Sequence, residues 1–118
     1  MSDAEFRSEK IELPGAVVYR LHGVLGDTQH CYDFLESFLD CLETCPDTIV
    51  FNCAELENMY SSGIGILANC FTKARASDKT LSICCVKPVI TRTLTITGIE
   101  PMLKEYASEE EALAAARG

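Results

Sequence analysis

Thr48-Ile49-Val50-Phe51-Asn52-Cys53 is a short, nearly continuous apolar run of the kind buried in a parallel sheet. What flanks it decides how it is covered. Upstream, Gly26-Asp27-Thr28 supplies turn and N-cap chemistry. Apolar residues then fall at Cys31, Leu35, Phe38, Leu39, Leu42 and Cys45, one helical stripe that Pro46-Asp47 stops. Downstream, beyond a loop, Ile64, Leu67, Ala68, Phe71 and Ala74 keep the 3.6-residue period of a second helix, which Ser77-Asp78-Lys79 ends. Strands alternating with amphipathic helices in this way imply βαβ crossovers and a mainly parallel sheet.

The same alternation continues outward. Ala16 to Gly23 is β-branched and aromatic, as a strand requires, and Pro14-Gly15 turns it back on a strand spanning Phe6 to Leu13. Leu81 to Val86 is a further strand. Pro88 suits the first turn of a third helix, because its missing amide hydrogen would be unpaired there anyway, and Gly98 is a natural stop. Met102 to Tyr106 completes the strands, and Ser108 with Glu111 forms a capping box that opens a final helix through Ala116. The expected fold is α/β: four to five strands, mostly parallel, with an antiparallel strand at the N-terminus and about four helices. No repeat or linker interrupts it, so residues 1–118 read as one domain with its core at about 6–116.

Composition narrows the functional classes. At 118 residues and 47% apolar content the chain has material for one core. Eighteen acidic against ten basic residues give a formal charge of −8, a field that repels phosphate backbones and argues against nucleic acid as a partner. The opening Met1-Ser2-Asp3-Ala4-Glu5 lacks a basic region followed by an apolar stretch, and no window approaches a membrane span. A cytoplasmic domain with no membrane partner is expected.

Seven cysteines are many for this length, but an odd count without an export signal favours free thiols. Cys41 and Cys45 are four apart, Cys84 and Cys85 adjacent, and Cys31, Cys53 and Cys70 isolated. With no CxxC and only His22 and His30 to complement them, no metal or other cofactor is expected. The cysteines read as small apolar core residues; a redox-sensing pair of Cys41 and Cys45 on one helix face is the lesser alternative.

The segment that carries chemistry is Asn58-Met59-Tyr60-Ser61-Ser62-Gly63-Ile64-Gly65, where strand and loop feed the second helix. A helix start offers unpaired amide hydrogens and partial positive charge, so a serine there is well held and an added phosphate is accommodated. The same residues also suit a purely structural role, since Ser is a common N-cap and Gly can simply permit close packing.

Here the sequence resembles the STAS domains, specifically the single-domain anti-sigma-factor antagonists of bacteria. The likeness runs through Leu21-His22-Gly23-Val24-Leu25, Ile49-Val50-Phe51-Asn52-Cys53, Tyr60-Ser61-Ser62-Gly63-Ile64-Gly65-Ile66-Leu67, Thr97-Gly98-Ile99 and Ser108-Glu109-Glu110-Glu111-Ala112-Leu113. The central piece is similar to the family's Asp-Ser-Ser-Gly motif, which implies Ser61 as phosphate acceptor. It further implies a docking surface of Gly26, Asp27, Asn58, Tyr60, Ser61, Ser62, Gly63 and Ile64. The implied partners are an anti-sigma factor that is a serine kinase of the histidine-kinase-like ATPase type, and a phosphatase that reverses the modification. Two positions depart from the pattern: Tyr60 stands where the family has an aspartate, and Gly26 stands at the usual loop acid, with Asp27 one residue later. The alternative is an interaction module in a signalling complex that is never phosphorylated.

Two other classes fit less well. A hydrolase would need Ser61 as nucleophile, His22 or His30 as base and Asp27 as orienter, but the Gly-x-Ser-x-Gly elbow is missing. A nucleotide site would need a glycine-rich or lysine-bearing phosphate loop, and neither motif is present. No enzyme activity is expected.

Overall fold

The computed structural model describes residues 5–99 and 104–117. Strand β1 (Arg7–Leu13) turns through Pro14-Gly15 into β2 (Ala16–Leu25), followed by α1 (Gln29–Cys41), β3 (Thr48–Met59), α2 (Ser61–Ala76), β4 (Thr80–Cys84), α3 (Pro88–Thr97), β5 (Glu105–Tyr106) and α4 (Glu109–Arg117). The five strands form one sheet in the order β1-β2-β3-β4-β5. Only β1 and β2 are antiparallel; every later pair is parallel, as helical crossovers demand. The α/β architecture expected from the alternating pattern is the one observed.

Its two faces are covered unequally. On one side α1, α2 and α3 enclose the main core, where Tyr19 and Phe51 each meet Phe34, Phe38 and one another edge to face with ring centres 5.5–5.8 Å apart and Phe6 closes on Phe34 at 5.3 Å. On the other, α4 alone packs Ala112 over Val18, Val50 and Cys84. That single helix is fixed by its charge: both nitrogens of the Arg20 fork donate to Glu109, at 3.0 and 3.3 Å, and Asn52 Nδ2 donates to the same carboxylate at 3.0 Å. Arg20 and Asn52 face each other across the β2–β3 register, so one helix-start carboxylate ties two strands together. The Ser108 cap forms as expected, its Oγ accepting from the Glu111 amide, while the Glu111 carboxylate accepts from Ala107, one residue before the cap.

Several boundaries differ from the sequence reading. β3 runs to Met59, six residues past Cys53, so no loop separates the apolar run from the helix. The register between β2 and β3 slips twice, once between Arg20 and His22 and again between Gly23 and Val24. Buried side chains consequently recur every third residue, at Cys53, Leu56 and Met59. A bulged strand inserts extra residues on one side of the pairing, which breaks the two-residue alternation by which strands are recognised. Phe34 joins the buried face of α1 beside the expected stripe, and α1 ends at Cys41, so Cys41 and Cys45 do not share a helix. α3 ends at Gly98 with φ +74°, as expected. Met102 and Leu103 of the expected last strand lie outside the described residues.

Candidate docking site at the start of helix α2

The extension of β3 carries the chain to the rim of the sheet, where α2 begins. Tyr60, with extended backbone, is the cap residue, and Ser61 is the first helical residue rather than the cap. Ile64 is the first amide to donate back along the helix, to the Tyr60 carbonyl at 3.0 Å. The amides before it lie at the positive end of the helix dipole, and Ser61 is exposed there.

Two close approaches fix this helix start. The Tyr60 amide donates to the Leu25 carbonyl at 2.9 Å, extending the β2–β3 pairing by one bond. The same carbonyl lies directly against Gly63, where any Cβ would collide with the backbone of Leu25. Glycine is therefore required by packing. Next to it, a Cβ on Gly26 would come within 3.0 Å of Cδ2 of Tyr60, so the aromatic ring rests on the bare backbone of the facing loop.

That loop has its own anchors. Tyr32 Oη donates to Asp27 at 2.9 Å, a bond that raises the tyrosine pKa above its ordinary value. The Thr28 hydroxyl does not cap α1; it donates to Cys31 Sγ at 3.2 Å, while the Gly26 amide donates to the same sulfur at 3.3 Å. Of the expected docking residues, Gly26, Gly63 and Ile64 are buried and shape the site from beneath. Asn58 and Ser62 are half-buried, and Asp27, Tyr60 and Ser61 are exposed.

The sequence reading omitted the other wall. An open groove of about 550 Å³ is lined by Asn58, Met59, Tyr60 and Ser61 on one side and by Val89, Thr93, Ile96 and Thr97 of α3 on the other. Among the described residues no charged side chain lines it. Tyr60, Val89 and Ile96 are 44%, 48% and 78% exposed, and with Tyr32 they are the exposed large hydrophobic residues among those described. The signal was legible in Pro88–Thr97: Ile90 and Leu94 satisfy the core, which leaves Val89 and Ile96 as apolar residues on another face.

The two histidines and Asp27 are each engaged away from Ser61. His22 Nε2 pairs with Glu9 at 2.7 Å, His30 lies 3.4 Å from Glu5, and Asp27 is engaged by Tyr32. Among the described residues no bond joins Ser61 to either imidazole, and no group of three or more His, Cys, Asp or Glu is placed to hold a metal. Five cysteines are buried and two, Cys41 and Cys85, half-buried; all are free thiols. Burial pushes Cys53 and Cys70 up to about 12. No helix among the described residues is long and apolar enough to cross a membrane.

Comparison with known proteins agrees with this architecture. The STAS domain family model matches residues 7–112. The fold superimposes on an anti-sigma factor antagonist from Mycobacterium paratuberculosis with a TM-score of 0.83 at 19% identity, covering 97% of this chain and 96% of that one. It also matches the anti-sigma factor antagonist SpoIIAA in its unphosphorylated form, with a TM-score of 0.70, 25% identity and 97% of each chain covered. The phosphorylated form of the Bacillus SpoIIAA gives 0.70 at 24% identity over 95% of this chain and 99% of that one. No protein among the curated sequences matches. With its mixed five-stranded sheet, four helices and a family match over nearly its whole length, the chain belongs to the STAS domain family.

Proposed function

We propose that this protein is a cytoplasmic anti-sigma-factor antagonist that works by docking a protein partner, not by turnover. In its unmodified form the Ser61 face binds an anti-sigma factor that is also a serine kinase of the histidine-kinase-like ATPase type. Phosphate on Ser61 ends that complex, and a phosphatase restores it. The observation that carries the reading is an exposed hydroxyl at a helix start, on the edge of a groove walled by Tyr60, Val89 and Ile96. Exposed aromatic and aliphatic anchors in a concave surface are what a partner buries. The similarity to antagonists solved in both unphosphorylated and phosphorylated forms supports the switch.

Electrostatics gives the switch its direction. A phosphoserine brings about two negative charges to a groove whose described lining carries none, on a protein that already carries −8. The dianion is tolerated at the amides of α2 while it faces water. Covered by a partner, it must be desolvated, and the complex weakens.

A second reading keeps the docking face but not the modification: a module held permanently in a signalling complex. Tyr60 on the backbone of Gly26 favours it, because an aromatic ring now stands beside the acceptor. Incubation with a histidine-kinase-like ATPase of the same organism and ATP, followed by intact-mass measurement, separates the two. One added phosphate, lost in Ser61→Ala, supports the switch; a stable complex with no added mass supports the module.

A further inference from the structure

Beneath the docking face lies a buried thiol with three partners. Cys31, in the first turn of α1 and fully inaccessible, accepts from the Gly26 amide at 3.3 Å and from the Thr28 hydroxyl at 3.2 Å. Its own hydrogen points to the Val24 carbonyl at 3.6 Å. These three residues bracket the three-residue turn between β2 and α1, and the sulfur gives the buried Gly26 amide its hydrogen-bond acceptor.

The turn in turn seats the acceptor. Gly26 presents its bare Cα to the Tyr60 ring, and the preceding residue, Leu25, accepts the Tyr60 amide and backs onto Gly63. Tyr60 caps the helix whose first residue is Ser61. A continuous run of contacts therefore leads from the thiol, through Gly26 and Tyr60, to the exposed hydroxyl.

We infer that Cys31 is a positioning residue: its thiol holds the 24–28 turn where Gly26 can seat Tyr60, and so sets the geometry around Ser61. A serine in its place has a shorter reach and a harder acceptor, so it keeps the pattern of bonds in strained form. An alanine keeps none of them. The consequence for partner binding rests on the docking reading above; the positional claim does not.

The test is nuclear magnetic resonance on the full chain with no partner present. In Cys31→Ala, hydrogen exchange at the Gly26 amide is expected to rise about tenfold relative to core amides such as Phe51, as for loss of one buried hydrogen bond. The cross-relaxation between the Gly26 α protons and the Tyr60 ring is expected to fall at least twofold. Cys31→Ser restores part of both. Thr28→Val removes a single donor at an exposed position without touching the core, and is expected to raise Gly26 exchange about threefold even if Cys31→Ala folds poorly. Exchange that rises equally at Gly26 and Phe51 in Cys31→Ala, or is unchanged at Gly26 in Thr28→Val, overturns the inference. Both outcomes are independent of whether any anti-sigma factor binds.

Discussion

The backbone carbonyl of Leu25 fills the place that a side chain at Gly63 would occupy, and the same oxygen accepts the amide of Tyr60 at 2.9 Å. The end of β2 thus locks the start of α2 in two ways at once. Gly63→Ala must force the helix off the strand. The expected loss is about 3 kcal/mol of stability, the upper range for overpacking, because the obstacle is backbone that cannot rotate away. Chemical denaturation reads it, and a loss under about 1 kcal/mol would show that the helix start is free to shift.

Ile96 is expected to separate binding from folding. At 78% exposure it supports little of the core, so Ile96→Lys should change stability by no more than about 0.5 kcal/mol. In the proposed complex it is an anchor, and the same change should weaken affinity by about 2 kcal/mol, roughly thirtyfold. Calorimetric titration with the anti-sigma partner checks this. Unchanged affinity would remove α3 from the docking face.

Ser61→Glu imitates part of the phosphate charge. It should weaken the complex at least tenfold while leaving the melting temperature within a degree or two, since Ser61 is exposed in a first helical turn that favours acids. A melting temperature that collapses would point instead to a structural serine.

The Arg20–Glu109–Asn52 contact predicts a pH signature. The Arg20 hydrogen bond, chiefly, and the Asn52 bond hold the Glu109 carboxyl below its ordinary pKa. The carboxylate's contribution is therefore full above the unfolded value, about 4.3, and is lost as pH falls through the lowered folded value. Glu109→Gln should cost about 1 kcal/mol at pH 7, a modest figure for a partly exposed pair. The difference from the parent should shrink to nothing under strongly acidic conditions, and a difference constant with pH would sink the assignment.

Thiol reactivity offers a test without a partner. With Cys53 and Cys70 pushed up to about 12 and five of the seven thiols buried, a disulfide reagent at pH 8 should titrate Cys41 and Cys85 first. The other five should react only on unfolding. Rapid modification of Cys31 in the native protein would show that the turn beneath the docking face opens readily.

The parts of the fold that obey a single period were readable from the chain. Ile64, Leu67, Phe71 and Ala74 mark α2, and Ser108 with Glu111 marks the start of α4, because helical spacing and capping are local properties. The second half of β3 was not readable. Its two register slips put Cys53, Leu56 and Met59 three apart, a spacing that belongs to neither a regular strand nor a full helix stripe. The site was legible to a similar depth. Ser61 at a helix start follows from local sequence, but Val89 and Ile96 become its neighbours only when the fold brings α3 beside the end of β3. Likewise the contact of Gly26 with Tyr60 joins two positions that depart separately from the family pattern, and only the fold makes them one substitution in space.

Because β3 outruns β4, pairing with it only as far as Asn52, the distal half of β3 has, among the described residues, a ladder on one flank alone. A bare flank of this kind invites another chain to zip onto it. Here the amides of Ala54 and Met59 are already occupied by the side-chain oxygens of Asn52 and Asn58, at 2.9 and 2.8 Å, and Glu55 and Glu57 stand exposed between them. The two asparagines and two glutamates act as a guard rail: they occupy two amides of the rim that carries the docking face outward and set like charges beside them, which opposes strand-to-strand pairing along this edge.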